Sequence, residues 1–352
     1  MLDARLEDLG WDDGWASELE RLEDEKLIPA RVAAQHRGEF VLWTGVDELR
    51  AELPGRLRYA AGVGMALPAV GDWVAVRGRA LEGRATIRAV LPRRTSISRK
   101  EALTGSLEQV LAANVDTAFL LNGLDADFST RRLERYLVLA WESGAEPVVI
   151  LTKTDLDDDV AERILEVEAV AIGVPVLPVS NVTGEGVDAV RVHLRPRTTS
   201  VVLGSSGVGK STLVNRIAGQ EVVRTSALAA DGTGRHTTTH RQLIRLPGGA
   251  LVVDTPGLRE LQLWAGDSAA AFADIDALAA ECRFSDCAHV HEPDCAVLGA
   301  VDDGTLELDR LRSWRKLQRE LRMIAERKDR RVQAERKRRW KQHARSIRRA
   351  RW

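Results

Sequence analysis

The chain has 352 residues, with 51 Lys and Arg against 52 Asp and Glu, so its formal net charge is −1. This length allows two or three domains, and the 44% of hydrophobic residues is enough to build their cores. Three cysteines are too few for a disulfide scaffold, the amino terminus is acidic where a signal peptide is basic, and no apolar run is long enough for a membrane span, so we expect a cytoplasmic protein outside the membrane.

Residues 1–37 are predicted to form an acidic amino-terminal arm. Apolar residues recur in it at helical spacing, which indicates a short amphipathic helix or a frayed arm. These residues are Trp11, Trp15, Leu19 and Leu22.

Residues 38–100 contain short alternating runs separated by Gly and Pro. This pattern predicts a small β-barrel of the OB or SH3-like kind, and a β-sandwich fragment is the alternative. The predicted strands are residues 40–44, 56–60, 72–76 and 85–91.

Residues 105–264 alternate apolar strand-like runs with helical patterns, which predicts an α/β domain with a largely parallel sheet. The predicted strands are residues 115–121, 147–151, 175–179, 200–203 and 251–253, and the predicted helices are residues 129–141, 160–171 and 209–217. After residue 263 the strand patterns stop. Residues 265–325 are predicted to form a helical metal-binding domain, with a long helix from about Leu306 whose apolar stripe comprises Leu311, Trp314, Leu317, Leu321 and Ile324.

A phosphate-binding loop is predicted at residues 204–211, GSSGVGKS, between a strand and a helix. Its backbone N–H groups would point at phosphate oxygens, Lys210 would reach the β- and γ-phosphates, and Ser211 would bind Mg²⁺. A glycine-rich turn without a ligand is the alternative. The predicted nucleotide contacts are Gly204, Ser205, Ser206, Gly207, Val208, Gly209, Lys210, Ser211 and Thr212.

The sequence LVVDTPG ends at Gly257 and has the spacing of the DxxG element of GTPases. Asp254 is expected at the Mg²⁺ ion and the amide of Gly257 at the γ-phosphate. The polar loop at residues 231–240, DGTGRHTTTH, has the composition of a switch loop that γ-phosphate and Mg²⁺ would order, although a disordered surface loop is the alternative. Thr238 is the predicted third protein ligand of Mg²⁺, beside Ser211 and Asp254.

The elements that would recognise guanine precede the phosphate-binding loop. Residues 151–155, LTKTD, resemble the Asn-Lys-x-Asp element of Ras-like GTPases, with Thr152 in place of Asn. Asp155 would accept from guanine N1–H and the exocyclic amino group, Lys153 would pack over the base, and the loop at Ser180 would close over it. A polar turn after a strand is the alternative. The order, base elements first and phosphate elements second, predicts a circular permutation.

Ras-like GTPases orient the attacking water with a glutamine directly after the DxxG glycine. Here that position holds Leu258, which cannot hydrogen-bond. His236 is the candidate for positioning the water, because imidazole can accept a hydrogen bond near neutral pH. A histidine on a flexible loop predicts slow hydrolysis until a partner orders the loop.

All three cysteines lie between residues 282 and 295, close to two histidines. Three thiolates and one imidazole form the closed tetrahedral set of a structural zinc site, which holds together a domain with little core of its own. His291 competes with His289 as the fourth ligand, and reduced cysteines without a metal are the alternative. The predicted ligands of one structural Zn²⁺ are Cys282, Cys287, His289 and Cys295.

The carboxyl-terminal part of the chain is strongly basic. Residues 310–352 contain 15 Arg and 4 Lys against 4 acidic residues, a net charge of +15, which leaves −16 for residues 1–309. Such runs are usually solvated, but the density of residues 326–352, predicted as a basic tail, with Trp340 and Trp352 interleaved, favours RNA binding. An acidic protein surface and a membrane are the alternatives.

The combination of a barrel, base elements ahead of GSSGVGKS, and then GRHTTTH, DTPG and CRFSDCAHVHEPDC resembles the ribosome small-subunit-dependent GTPase family, RsgA or YjeQ, over roughly residues 38–325. The resemblance implies an OB-fold, a circularly permuted GTPase domain and a zinc domain. It also implies that GTP and Mg²⁺ are used and that GTP is hydrolysed to GDP and phosphate, with stimulation by the small (30S) ribosomal subunit late in its maturation. Thr152, the acidic arm and the long basic tail depart from the shared pattern.

We therefore expect a monomeric GTPase whose partners are the small ribosomal subunit, its 16S rRNA, GTP and GDP. One alternative is a nucleotide-gated regulator that binds rRNA or the ribosome and in which hydrolysis is incidental. Another is a zinc-finger protein that binds DNA, but such a protein needs neither the phosphate-binding loop nor DTPG.

Overall fold

The computed structural model describes residues 4–36, 39–55, 67–79, 83–100, 108–223, 241–255, 272–319, 321–323 and 326. The chain divides into two compact units, Met1–Gln262 and Leu263–Trp352. Among the helices in the described ranges, none is long and apolar enough to cross a membrane.

The first unit begins with two short helices, α1 (Ala4–Glu7) and α2 (Asp13–Glu20). Asp12 caps α2 by accepting a 3.1 Å hydrogen bond from the backbone N–H of Trp15. The rings of Trp11 and Trp15 are buried and lie 4.7 and 6.4 Å from the ring of Trp73, between centroids. The predicted helix is thus α2, which packs Trp15 on the barrel, while Trp11 packs there from the segment just before α2.

Five strands form the barrel: β1 (Ile28–Gln35), β2 (Glu39–Trp43), β3 (Glu48–Glu52), β4 (Trp73–Arg79) and β5 (Arg84–Val90). Their order is β1-β2-β3-β5-β4, and β4 pairs back with β1, so the barrel is closed. Only the β3–β5 pair of these neighbours is parallel. The predicted OB-like barrel is confirmed, while residues 56–60, a predicted strand, lie outside the described residues.

Strand β1 lies inside the segment predicted as an acidic arm, so the barrel begins at Ile28 and not at residue 38. The strand was missed because its four central residues, 30–33, are all buried, which removes the alternation that identifies a half-exposed strand. One of them is an arginine, Arg31, which a sequence pattern assigns to the surface.

The sheet of the α/β domain contains β8 (Thr117–Gly123), β9 (Glu146–Thr152), β10 (Val176–Val179), β11 (Thr199–Leu203), β12 (Gln242–Arg245) and β13 (Leu251–Asp254). Their order is β10-β9-β8-β11-β13-β12, parallel except for β12. Strands buried on both faces need continuous apolar sequence, as TAFLLNG of β8 shows. The predicted parallel sheet is confirmed.

In the described part of this domain, a helix follows each of β8, β9, β10 and β11: α3 (Thr130–Ser143), α4 (Val160–Glu168), α5 (Val187–Val192) and α6 (Lys210–Ala218). A two-stranded sheet, β6 (Ser96–Lys100) and β7 (Glu108–Ala113), precedes β8 in the chain. Barrel and domain share one continuous sheet, because Ala34 of β1 pairs with Gln242 of β12. The parallel strands end at one common edge, where ligands of α/β proteins bind.

The second unit contains α7 (Ala273–Ala280), α8 (Ala296–Asp302) and α9, residues 308–319. The predicted helix near Leu306 is α9, and its stripe residues Leu311 and Leu317 are buried. Arg310 of α9 donates to both carboxylate oxygens of Asp274 at 2.6 and 2.7 Å, which ties α9 to α7.

Candidate nucleotide and metal sites

The predicted phosphate-binding loop connects the carboxyl end of β11 to the first residue of α6, Lys210. Gly207 and Gly209 have φ of 79° and 99°, a backbone conformation that side chains disfavour. A Cβ atom at Gly209 would also lie 2.6 Å from Nδ2 of Asn181. The loop therefore requires glycine, and it presents its backbone at the start of a helix, where anions bind.

Lys210 is buried beneath this loop. Its Nζ donates to the carbonyl oxygens of Gly204 at 3.0 Å and Ser205 at 2.6 Å. Burial lowers the pKa of Lys210 to about 8, and the attraction of Asp254 opposes this change. The ammonium is thus held in the loop, and Ser211 and Thr212 follow it in the first turn of α6.

Asp254 ends β13 and is 1% exposed. Neither of its carboxylate oxygens has a hydrogen-bond partner in the described part of the chain. Burial raises the pKa of Asp254 to about 6, although Lys210 lowers it. A buried carboxylate without donors is costly unless a cation binds it, so the residue fits the predicted Mg²⁺ ligand. The other predicted residues of this part, His236, Thr238, Gly257 and Leu258, lie outside the described residues.

We expect Asp254→Asn to stabilise the protein free of nucleotide and Mg²⁺ by about 1–3 kcal/mol at pH 7. Because the folded state binds this proton more tightly than the unfolded chain, the wild type loses stability as the pH rises from about 4 to about 6, and the asparagine variant does not. Urea unfolding across this pH range measures the difference, which should vanish near pH 4. A variant no more stable than the wild type at pH 7 would contradict the expectation.

The predicted base-recognition turn begins where β9 ends, at Thr152. This side chain is fully buried, and its hydroxyl donates a 2.7 Å hydrogen bond to the carbonyl oxygen of Val208 in the phosphate-binding loop. Threonine therefore supplies a bond that joins the two halves of the permuted site. Lys153 follows with φ of 63°, and Asp155 lies in a turn of 3-10 helix, Thr154–Leu156.

Asp155 and Ser180 lie together at the ends of neighbouring strands β9 and β10. The Ser180 hydroxyl donates to Oδ1 of Asp155 at 2.6 Å and accepts from the backbone N–H groups of Val182 and Thr183. The Asp155 side chain remains exposed and available as an acceptor. The structure thus brings the base elements and the phosphate-binding loop to the same edge of the sheet.

Three residues that the sequence reasoning missed also contact these elements. Asn181 Nδ2 donates a 3.2 Å hydrogen bond to the carbonyl oxygen of Gly209. Asp125 and Asp127, in the turn after β8, bind Lys153 and Ser205. The only signal of Asp125 and Asp127 in the sequence is a polar turn that follows the buried strand β8, and Asn181 directly follows the predicted Ser180.

The second unit brings together the four predicted metal ligands, whose ligand atoms all lie within 4.8 Å of one another. The Sγ atoms of Cys282 and Cys295 are 3.8 Å apart, and Nδ1 of His289 lies 3.6 and 3.4 Å from them. His291 is exposed and outside this cluster, so the geometry favours His289. Three sulfur atoms and one imidazole nitrogen fit a metal ion with soft ligands.

The loop that carries the ligands is held by Glu292, a residue the sequence reasoning missed. Its carboxylate accepts hydrogen bonds from the backbone N–H groups of Val290, His291 and Ala288 at 2.7, 3.0 and 3.0 Å. Hydrogen bonds from backbone N–H groups, of which that from Val290 has the largest effect, lower the pKa of Glu292 to about 2. The His289 ring packs against Trp314 of α9, with 5.3 Å between centroids. The ligand loop is therefore fixed from outside the cluster.

A parallel sheet with a phosphate-binding loop, a buried aspartate on the neighbouring strand and a base-recognition turn earlier in the chain defines a P-loop GTPase with permuted motif order. The family model described as RsgA GTPase matches residues 90–264. A second model, described as 50S ribosome-binding GTPase, matches residues 199–334. The second begins at the first residue of β11, so the strands with the base elements lie outside it, as a permutation requires.

Relatives and solved structures agree with these matches. The chain is 49% identical over 350 residues to "Small ribosomal subunit biogenesis GTPase RsgA" of Opitutus terrae, covering 96% of this chain and 95% of the relative. It is 45% identical over 338 residues to the protein of the same name from Streptomyces avermitilis, covering 94% and 90%. The crystal structure of YjeQ from Thermotoga maritima is similar with a TM-score of 0.60 and 29% identity, covering 84% of this chain and 98% of that one. YloQ, described as a circularly permuted GTPase, shares the fold with a TM-score of 0.57 at 24% identity, covering 87% and 96%.

The chain belongs to the RsgA GTPase family, and its activity is GTP hydrolysis.

Proposed function

We propose that this protein is a GTP-gated maturation factor of the small (30S) ribosomal subunit, which binds the subunit late in its assembly and is released by hydrolysis. The part of this proposal that concerns nucleotide binding rests on one observation. The base-recognition turn, the phosphate-binding loop and the buried Asp254 meet at one edge of the sheet. The ribosomal part is supported by relatives of this length that are named as small-subunit biogenesis GTPases. A cytoplasmic monomer that does not enter the membrane fits this role.

Phosphate binding follows from the loop and from Lys210. The loop amides and the α6 N-terminus would bind phosphate oxygens, and the ammonium of Lys210 would exchange its two carbonyl acceptors for the β- and γ-phosphates. Ser211, Thr238 and Asp254 would hold the Mg²⁺ ion, which supplies positive charge to the phosphate oxygens. The Gly257 amide would read the γ-phosphate.

Guanine recognition is assigned to Asp155, supported by Ser180. The Ser180 hydroxyl holds one carboxylate oxygen, so the group is oriented before the base arrives. Lys153 would cover the base plane. Thr152 contributes through Val208, by fixing the turn against the phosphate-binding loop.

We expect Asp155→Asn to weaken GDP binding by about a hundredfold or more, because the amide replaces one acceptor by a donor that faces guanine N–H groups. The same change should favour xanthosine diphosphate, whose base carries a carbonyl where guanine has an amino group. Equilibrium titration of the wild type and the variant with both nucleotides measures the change in their relative affinities for GDP and xanthosine diphosphate. Equal losses for both would show that Asp155 supports the fold without reading the base.

Hydrolysis is assigned to a water positioned by His236, since Leu258 cannot orient it. This assignment rests on the sequence of the switch loop. A subunit that orders this loop would bring the imidazole to the γ-phosphate and raise the rate.

The Cys₃His cluster is assigned to one structural Zn²⁺ ion. Four protein ligands leave no open position for a reacting water, and the metal would close the loop between α7 and α8. Zn²⁺ is not redox-active, and it prefers this ligand set in a tetrahedral site.

The basic tail is assigned to 16S rRNA. Residues 327–352 contain 13 basic and 2 acidic residues. We expect a chain ending at Glu326 to bind purified small subunits at least about tenfold more weakly at ~0.1 M salt, with a smaller dependence of affinity on salt concentration. GDP binding by the same variant should be unchanged, which controls for the fold. Co-sedimentation over a salt series is the measurement, and equal affinity with equal salt dependence would exclude the tail from the interface.

A further inference from the structure

The turn between β8 and α3, residues 124–128 with the sequence LDADF, will be called the acidic turn. It contacts both halves of the nucleotide site through different side chains. The assignments made above for GTP binding use none of its residues.

The first half of the acidic turn is hydrogen-bonded to the base-recognition turn. The ammonium of Lys153 donates to Oδ2 of Asp125, and both side chains are about three-quarters buried, at 24% and 27% exposure. The backbone N–H of Leu124 donates to the carbonyl oxygen of Thr152 at 2.8 Å. A Cβ atom on Gly123 would lie 3.1 Å from Oδ1 of Asp125 and 3.6 Å from Cδ of Lys153, so the lysine stem crosses the backbone here.

The backbone of Lys153 is in the left-handed region, with φ of 63°. That conformation is unfavourable for a residue with a side chain and persists where neighbours hold it. The bond to Asp125 fixes the far end of the side chain, and the Leu124–Thr152 bond fixes the chain just before it. The orientation of the lysine stem is therefore set before a nucleotide binds.

The second half of the acidic turn is hydrogen-bonded to the phosphate-binding loop. The hydroxyl of Ser205 donates to Oδ2 of Asp127 at 2.5 Å, and Nη1 of Arg132 donates to Oδ1 at 3.2 Å. The backbone N–H of Asp127 also donates a 3.1 Å hydrogen bond to Oδ1 of Asp125, which links the two halves of the acidic turn. The base of the turn is closed by hydrogen bonds between Asn122 and Ser129.

The charges explain how two aspartates can stand beside a site for a polyanion. Each carboxylate is paired with its own cation, Asp125 with Lys153 and Asp127 with Arg132. The acidic turn therefore adds little net charge. Its bonds to Lys153 and Ser205 favour a role in positioning over a second cation site.

We infer that the acidic turn is a positioning element of the guanine-nucleotide site, in which Asp125 aligns Lys153 over the base and Asp127 aligns Ser205 in the phosphate-binding loop. This inference rests on the proposed roles of Lys153 and of that loop. It makes Asp125 and Asp127 positioning residues, since each acts through a residue of the site. The loss of either should weaken GDP and a non-hydrolysable GTP analogue equally.

The test is a double-mutant cycle on equilibrium binding of fluorescent GDP in Mg²⁺ buffer, with Asp125→Ala, Lys153→Ala and the double variant. Asp125→Ala should weaken binding roughly fivefold, and it should cost nothing further in the Lys153→Ala background. Asp158→Ala, at an exposed acidic residue three positions after Asp155, is the matched control and should bind normally. If Asp125→Ala does not fold, Asp125→Asn keeps the volume of the side chain and removes its charge.

A second cycle with Asp127→Ala and Ser205→Ala should show the same loss of additivity, at roughly threefold for each single variant. Additive losses in either cycle, unchanged affinity or tighter binding for Asp125→Ala would overturn the inference. If Lys153→Ala itself leaves GDP affinity unchanged, the proposed role of Lys153 fails and the inference fails with it. If Lys153→Ala weakens binding but Asp125→Ala does not, the inference alone fails.

Discussion

Replacing Arg31 with methionine is expected to lower the free energy of unfolding of the first unit by about 3–5 kcal/mol. Methionine approximates the length of the aliphatic stem, so the loss comes from the guanidinium group. Three of the acceptors it leaves behind are buried, and each unsatisfied one costs about 1–3 kcal/mol.

The size of this effect follows from the position of Arg31 on β1, where the side chain is 2% exposed. It donates to the carbonyl oxygen of Leu9 and, at 3.3 Å, to that of Gly71. It also donates to the carbonyl oxygen of Asn114 at 3.2 Å and to the hydroxyl of Thr199 at 2.7 Å. One side chain thus joins the amino-terminal segment, the barrel and the start of β11, the strand that leads into the phosphate-binding loop.

The charge of Arg31 is retained in this buried position. Burial lowers its pKa to about 10, and the nearby Asp116 and Asp72 oppose this change. The guanidinium therefore stays protonated at neutral pH. Lysine cannot replace it, because one ammonium cannot reach acceptors on four separate segments, and Arg31→Lys should also cost several kcal/mol.

Urea unfolding followed by tryptophan fluorescence measures this loss. Arg50→Met is the matched control, because Arg50 lies on β3 of the same barrel with its side chain 69% exposed. The control should change stability by less than about 0.5 kcal/mol. A loss below about 1 kcal/mol for Arg31→Met would show that the junction does not depend on this residue.

The second large effect is expected on removal of the metal from the second unit. Chelation should unfold the ligand loop, residues 282–295, because structural zinc contributes on the order of 10 kcal/mol to folding of such domains. This stretch has no helix or strand of its own between α7 and α8, so its side-chain ligands and the Glu292 bonds hold it. Circular dichroism and limited proteolysis before and after chelation report the change.

Elemental analysis supplies the matching control. The wild type and His291→Ala should carry one equivalent of zinc per chain, and His289→Ala should lose it together with protease resistance. A different metal at full occupancy would overturn the zinc assignment. Retention of zinc by His289→Ala would overturn the ligand set.

The motifs assigned to nucleotide binding could be predicted because their chemistry is local. GSSGVGKS needs glycines at fixed spacing and a lysine at a helix start, and the structure places Gly209 and Lys210 as this requires. The parallel strands were predictable because burial on both faces leaves continuous apolar sequence. The permuted order was readable because base and phosphate motifs are recognisable separately.

Other parts depend on contacts between distant residues, and local patterns do not encode them. Strand β3, which was not predicted, has the sequence ELRAE. Its only apolar residues, Leu49 and Ala51, are buried and alternate with three exposed charged residues, so its hydrophobic pattern is weak. The buried Arg31 and the bonds of Asp125, Asp127 and Asn181 join segments that are far apart in the chain. Their side chains are polar, and sequence alone assigns such residues to the surface.

We propose that GTP hydrolysis by this protein is gated by the small ribosomal subunit. The most direct measurement is the rate of phosphate release by the full chain, at fixed GTP and Mg²⁺, with and without purified small subunits. We expect slow release alone, stimulation by about tenfold or more with small subunits, no such stimulation with large subunits, and no release from Lys210→Ala under either condition. An unchanged rate on addition of small subunits, from protein that still binds GTP, would show that the small subunit does not gate hydrolysis.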